Sequence, residues 1–342
     1  MLPLPALGPA AYITLLALLA PAALMALWRR RGARRLGGGT HVLITGGSKG
    51  LGLALARLCV QRGCSVTVVA RSQPDLDAAL QQLREAAQAG GAEHAGQRLQ
   101  ALSADTADPD KLKAVFAEAE RAAGPIDVLI CNAGFSVPGL FVEQGPEVHE
   151  RQMRVNYLGT VHTVQAALPG MLERRQGRML LVASTLSILG LAGYASYAPS
   201  KWAVRGLADC LHNELQGTGV HISVAYPPDT DTPGYATEME TKPALCKAVN
   251  AALGSELFSA EKVAQALLGG IERGDYHLPS PDLGQNLLVS AMTGLSPKRF
   301  WLPLQVLLGP ILPLATSLFG WIGDRAARRH NAAHGMPPRA SS

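Results

Sequence analysis

Charge is scarce in this chain of 342 residues: Asp, Glu, Lys and Arg make up 17%, against about 25% in an ordinary soluble domain. With 48% apolar residues, its bulk is not that of a disordered chain. Aromatic residues stand at 5% and no basic stripe is interleaved with them, which argues against nucleic acid as a partner. No G-x-y repeat and no sustained heptad occurs, excluding collagen-like and coiled-coil classes. No C-x-x-C pair exists among Cys59, Cys64, Cys131, Cys210 and Cys246. Reduced, mostly buried thiols facing a reducing compartment are expected. No N-x-S/T sequon occurs, as fits a domain kept out of the secretory lumen. His149, His162, His212 and His221 lack the spacing of metal ligands such as H-E-x-x-H, so no metal is expected.

What positive charge there is has one address. The net charge is +5, and Arg29, Arg30, Arg31, Arg34 and Arg35 alone match it. Residues 1–28 carry no charge, and residues 10–28 are almost continuously apolar. About 20 apolar residues cross a bilayer. A cleaved signal peptide would put its charges before a shorter run. A retained anchor is therefore expected, with the arginines and the chain beyond them in the cytosol. A second apolar stretch lies at the other end. Residues 283–297 and 300–323 are uncharged, separated by Lys298 and Arg299, broken by Pro303, Pro310 and Pro313, and followed by Arg325, Arg328 and Arg329. Basic residues on both flanks favour a re-entrant or interfacial segment touching the membrane bilayer over one clean crossing. The alternative is a C-terminal helix that packs on the core or forms a homodimer. The chain thus divides into an anchor and basic flank at 1–36, a catalytic domain at 37–280, and an apolar C-terminal segment with a basic tail at 281–342.

Between the apolar ends, strands and helices alternate. Apolar or β-branched runs predict strands over 41–45, 65–70, 98–104, 126–131, 178–183 and 220–225. Helical patterns fill 51–62, 76–89, 109–123, 146–168, 197–216 and 260–272. Such alternation predicts right-handed βαβ units in an α/β, doubly wound parallel sheet, the Rossmann fold. Ligands of such sheets bind beyond the carboxyl ends of the strands. Residues 233–258 form a long connection, expected to cover the substrate.

Two motifs carry chemistry. Thr45-Gly46-Gly47-Ser48-Lys49-Gly50-Leu51-Gly52 leaves the first strand and opens a helix. Its glycines let backbone N–H groups approach a pyrophosphate at the helix N-terminus. The second strand ends Val69-Ala70-Arg71-Ser72, without the acid that binds the ribose hydroxyl of NAD. Arg71 and Lys49 instead present two cations to a 2′-phosphate, which points to NADPH. The second motif is Tyr197-Ala198-Pro199-Ser200-Lys201, with Ser184 upstream at a strand end. Positions i and i+4 share a helix face, placing the Lys201 ammonium by the Tyr197 phenol. Bringing that phenol from about 10 to about 7 takes roughly 4 kcal/mol. A neighbouring cation acts in that direction, helped by an oxidised nicotinamide ring. Tyr197 is then a proton donor to a carbonyl oxygen that Ser184 also binds.

Together with Cys131-Asn132-Ala133-Gly134 and Val155-Asn156-Tyr157, these motifs make residues 40–277 resemble the short-chain dehydrogenase/reductase family. The resemblance implies a catalytic set of Asn156, Ser184, Tyr197 and Lys201, with Asn156 holding a water that links Lys201 to solvent. It implies cofactor contacts at Gly46, Ser48, Lys49, Gly50, Leu51, Gly52, Arg71, Tyr197 and Lys201. It also implies Asp105 at the adenine, Asn132 near the adenosine ribose, and Thr232 with Thr230 at the nicotinamide carboxamide. Three positions depart from the family pattern: Pro228 follows Pro227, Ala183 precedes Ser184 (Ser187 is the second candidate serine), and Pro199 lies inside the Tyr–Lys turn. Proline is tolerated only in a helix's first turn, so the helix must begin close to Tyr197.

A narrower resemblance rests on residues 224–234, from Val224 through Pro227-Pro228-Asp229-Thr230-Asp231-Thr232 to Gly234, with Thr241-Lys242-Pro243. It is to the family's reductases of long-chain 3-keto sphingoid bases, which implies a role in sphingolipid synthesis at the cytosolic face of the endoplasmic reticulum membrane. The alternatives are a microsomal reductase of steroids, retinoids or 3-ketoacyl-CoA, and an inactive NADPH-binding membrane scaffold. The intact Tyr197–Lys201 pair speaks against the scaffold.

Overall fold

The computed structural model describes residues 35–89, 96–254, 256–292 and 312–335. The expected anchor, most of the arginine cluster and residues 293–311 lie outside the described residues.

Six parallel strands form the central sheet: β1 (His41–Thr45), β2 (Ser65–Ala70), β3 (Leu99–Ser103), β4 (Val128–Cys131), β5 (Gly177–Val182) and β6 (Val220–Ala225). Their order is β3-β2-β1-β4-β5-β6, every pairing parallel. The order reverses between β1 and β4, the switch point where doubly wound sheets bind ligands. β1 and β4 are buried along their whole length, as a strand covered on both faces must be.

Alternate residues feed two cores. Val42 and Ile44 point to α1 (Gly50–Gln61), α2 (Gln73–Ala89) and α9 (Ala260–Arg273). Leu43 points to α3 (Pro109–Ala123), α5 (Gly159–Glu173) and α6 (Ala198–Glu214) on the other face. Helix ends follow the sequence signals. Asp108 caps α3 by accepting a 3.1 Å hydrogen bond from Lys111 N, with Pro109 as the first residue. Four of the five cysteines are buried and Cys210 is exposed.

The structure corrects the expected single helix over 146–168. α4 (Pro146–Gln152) runs into a π-helical turn, Met153–Leu158, and only then into α5. The wider turn directs Asn156 fully inward. Single π turns of this kind are frequent at functional sites.

The expected long connection is itself folded. It contains β7 (Thr230–Asp231), α7 (Pro233–Thr241), α8 (Ala244–Leu253) and β8 (Phe258–Ser259), with β7 and β8 paired in parallel. Beyond α9, Val224 N donates to Tyr276 O at 2.7 Å and Leu278 N donates to Val224 O at 2.9 Å. This extends the sheet past β6. α10 (Leu283–Met292) and α11 (Leu312–His334) complete the described chain. α11 lies on α8: Ala326 and Ala327 pack against the cluster of Leu140, Leu245 and Val249. The described part of the apolar C-terminal segment therefore packs on its own domain. No helix among the described residues is long and apolar enough to cross a membrane.

Candidate active site

The site lies along the carboxyl ends of the strands. Gly46 follows β1, Arg71 follows β2, Asp105 follows β3, Asn132 follows β4 and Ser184 follows β5, and all five line one cavity of about 1360 Å³.

At one end is the glycine turn. Gly46 and Gly50 have φ of +67° and +52°, the left-handed region that glycine enters without strain. A Cβ on Gly52 would collide with Gly46 O, and one on Gly47 would lie 2.7 Å from Val68 Cγ1. Gly46, Ser48, Lys49, Gly50 and Leu51 reach the cavity wall. Gly52, expected among the cofactor contacts, sits behind the turn as a packing glycine. Asn132 donates from Nδ2 to Gly46 O at 3.0 Å, so it holds the turn as well as facing the cavity. α1 begins without a side-chain cap, leaving its first N–H groups to an anion. The shape and donor set fit the pyrophosphate of a dinucleotide.

Further along, Arg71 is exposed at the wall. Lys49 Nζ lies 2.8 Å from Asp75 Oδ2, and that contact holds the Asp75 carboxyl below its ordinary range. The two predicted cations thus share the wall with an acid that no motif flagged. Asp105 accepts from Ala107 N at 2.9 Å through Oδ1. Thr232 caps α7, accepting from Tyr235 N at 3.1 Å. A Cβ on Gly50 would come within 2.9 Å of Thr232 Cγ2, so the α7 connection closes back onto the glycine turn. Thr230 is buried and donates to Pro228 O at 2.7 Å.

The reacting groups sit mid-cavity. α6 begins at Ala198 with Tyr197 as its N-cap, so Pro199 occupies the first turn, where it is tolerated. Lys201 is buried and donates from Nζ to Val182 O at 3.0 Å. Its ammonium lies 5.8 Å from the centre of the Tyr197 ring. Burial pushes Lys201 down to about 8. Asn156 is fully engaged: Nδ2 donates to Phe135 O and Ser200 Oγ, and Oδ1 accepts from Phe135 N, each at 3.0 Å. It meets Lys201 at Gly134, where a Cβ would be 3.0 Å from Asn156 Oδ1 and 3.2 Å from Lys201 Nζ.

Tyr197 departs from expectation. Burial pushes its hydroxyl above the phenol range, Glu238 and Asp229 push the same way, and a hydrogen bond with Ser184 opposes them. Lys201 is tied to a carbonyl of β5 rather than to the phenol. In this state the chain favours a protonated Tyr197, the form that donates.

Apolar side chains also line the cavity, Leu189, Leu191, Leu253, Leu288, Ala291 and Phe319 among them. Gln285 of α10, buried, donates from Nε2 to Thr185 Oγ1 at 2.6 Å and to Tyr226 O. It ties the C-terminal segment to the connection that carries Ser184. No motif flagged Gln285, yet a polar residue inside an uncharged stretch was a usable signal.

A glycine-lined dinucleotide cradle ending at a buried Tyr–Lys pair defines a nicotinamide-dependent oxidoreductase. The sequence pattern of the short chain dehydrogenases matches residues 40–243, and the chain belongs to that family. It is 37% identical to a 3-dehydrosphinganine reductase of Danio rerio over 262 residues, 76% of each chain. It is 35% identical to a 3-ketodihydrosphingosine reductase of Dictyostelium discoideum over 285 residues, 81% of this chain and 84% of that one. Levodione reductase shares the fold, with a TM-score of 0.65 and 22% identity, over 73% of this chain and 99% of that structure.

Proposed function

We propose that the protein reduces 3-ketodihydrosphingosine to dihydrosphingosine with NADPH. The cavity carries this reading. A pocket for one small ligand measures roughly 300–1,000 Å³, and this one, at about 1360 Å³, is lined by the dinucleotide cradle, by Ser184 and Tyr197, and by apolar side chains. The volume leaves room for a ketone and its alkyl chain beside the cofactor. The named activities of the Danio and Dictyostelium relatives support the same substrate.

When held in this cradle, NADPH would supply the hydride that reduces the ketone. Tyr197 gives its proton to the ketone oxygen, and Ser184 hydrogen-bonds that oxygen. Lys201 stabilises the phenolate left behind, and Asn156, through Gly134 and Phe135, fixes the wall on which Lys201 rests. Arg71 and Lys49 would receive the 2′-phosphate, Asp105 would face the adenine, and Thr230 and Thr232 would face the carboxamide. Residues 10–28 hold the enzyme in the endoplasmic reticulum membrane with the domain in the cytosol. Residues 283–323 lie at the bilayer surface, where exposed Leu283, Leu318 and Trp321 meet lipid.

The test is a substrate panel on the purified full chain. With NADPH, 3-ketodihydrosphingosine should be converted to dihydrosphingosine far faster than a steroid ketone, retinal or a 3-ketoacyl-CoA. A preference for any of those three contradicts the proposal.

A further inference from the structure

The cavity wall beside Tyr197 carries acid that proton transfer does not use. Glu238 of α7 and Asp229 just before β7 both line the cavity. Glu238 Oε1 accepts a hydrogen bond from Tyr194 Oη at 2.5 Å. The rings of Tyr194 and Tyr197 are 6.1 Å apart, so Glu238 stands one side chain from the proton donor. Its side chain is only 15% exposed.

A buried carboxylate needs a partner. Lys242, behind the wall and 2% exposed, approaches the same Oε1 only to 3.8 Å. Its ammonium lies 5.4 Å and 5.7 Å from the ring centres of Tyr194 and Tyr235. Both rings also line the cavity, and aromatic faces attract cations. Burial raises the Glu238 carboxyl despite Tyr194, Lys242 and Ser136, and Asp229 adds to that rise. A second cation arriving from the cavity would relieve this cost. Lys201, the other cation near Tyr197, is held on Val182 O.

A 3-keto sphingoid base brings such a cation. Its amine sits on the carbon next to the ketone, so a ketone oxygen placed at Tyr197 brings the ammonium within reach of this wall. We infer that Glu238, held by Tyr194, binds the substrate's ammonium and makes the enzyme select ketones that carry a neighbouring amine. The inference rests on the reduction proposed above.

The test compares kcat/KM for 3-ketodihydrosphingosine and for the same hydroxyketone lacking the amine. The wild type should prefer the amine by roughly 10–100-fold, the range of one charge-assisted hydrogen bond. Glu238→Gln should collapse that ratio to within about threefold, mainly through KM, and Glu238→Asp should keep part of it. An unchanged ratio in Glu238→Gln overturns the inference, as does an equal loss on both ketones. A second measurement needs neither turnover nor a variant. A saturated long-chain primary amine should stabilise the NADPH-loaded wild type against heat at concentrations well below those needed for the alcohol of equal length. Equal stabilisation overturns the role of Glu238. Failure to reduce either ketone would overturn the proposed reaction instead, and the amine–alcohol comparison would still decide whether this wall binds a cation.

Discussion

Pro199 decides where Tyr197 stands. It cannot sit deep in a helix, so α6 starts at Ala198 and leaves Tyr197 at the cap, with its ring on the cavity wall. The Tyr197–Lys201 spacing was legible because one helical turn fixes it. The electrical state of the pair was not, because it depends on Val182 O, Glu238 and Asp229, which the sequence scatters over 57 positions between Val182 and Glu238 counted inclusively. Replacing Arg71 and Lys49 together by Ala should raise the KM for NADPH by roughly 10²–10⁴-fold, as loss of two charge-assisted contacts implies, and leave that for NADH nearly unchanged. Arg71 should carry the larger share, because Lys49 must first leave Asp75. An equal rise for both cofactors would place these residues away from the phosphate. Lys201 gives a pH dependence, since its folded value of about 8 lies below the unfolded 10.5. Between those values the unfolded chain binds more protons, so this group's contribution to stability rises with pH across the window. The unfolding free energy of the wild type should gain up to about 3 kcal/mol on that of Lys201→Met between about pH 7 and about pH 10.5. A pH-independent difference in denaturation would contradict a buried Lys201 that gives up its proton at about 8.

At the scale of elements, the six strands were legible because β-branched and apolar runs alternate with helices at βαβ spacing. The boundaries of β2, α3 and β6 coincide with the expected ones. The π turn was not legible. Met153–Leu158 reads as ordinary helix, and the extra residue is set by Asn156 reaching Phe135 and Ser200. Likewise α7 and α8 hide in residues 233–258, where Lys242 and Pro243 interrupt any helical period and tertiary packing orders α8, with Leu245 and Val249 against α11 and Cys246 against Leu186, Tyr194 and Ala198. Gly134 joins the π turn to the lysine, and Gly134→Ala inserts a methyl between Asn156 and Lys201, where 3.0 Å and 3.2 Å are left. Overpacking of this kind costs about 1–3 kcal/mol. Turnover should fall more than NADPH affinity does, and an unaltered kcat would show that the Asn156–Lys201 approach is unimportant.

For the molecule as a whole, the property to test is the proposed attachment of both apolar ends to the membrane. A single-chain lipid ketone partitions into a bilayer, so an enzyme at that surface meets it at high local concentration. Deleting residues 1–35 should release the protein from liposomes only in part. Removing residues from 283 onward as well should release it fully. That second cut also strips Gln285 and Leu288 from the cavity wall, so turnover of long-chain substrate should collapse while NADPH binding survives. Full release after the first cut alone would confine residues 283–323 to packing on the domain. Protection of the domain from external protease in intact microsomes would place it in the lumen. The packing of the C-terminal segment on its own domain was legible only as one of two alternatives. Its lack of charge was evident, but α11 settling on α8 depends on small residues, Gly323, Ala326 and Ala327, against Val249 and Leu253.

The most direct test of the account is single-turnover reduction of 3-ketodihydrosphingosine by the Tyr197→Phe variant, with NADPH binding followed by fluorescence in the same sample. Phe removes only the hydroxyl, so NADPH should still bind with near-wild-type affinity. The reduction step should slow by about 10²–10⁴-fold, the range of general acid catalysis. Near-normal reduction by a variant that binds NADPH would contradict Tyr197 as the proton donor, and with it the chemistry assigned to this cavity.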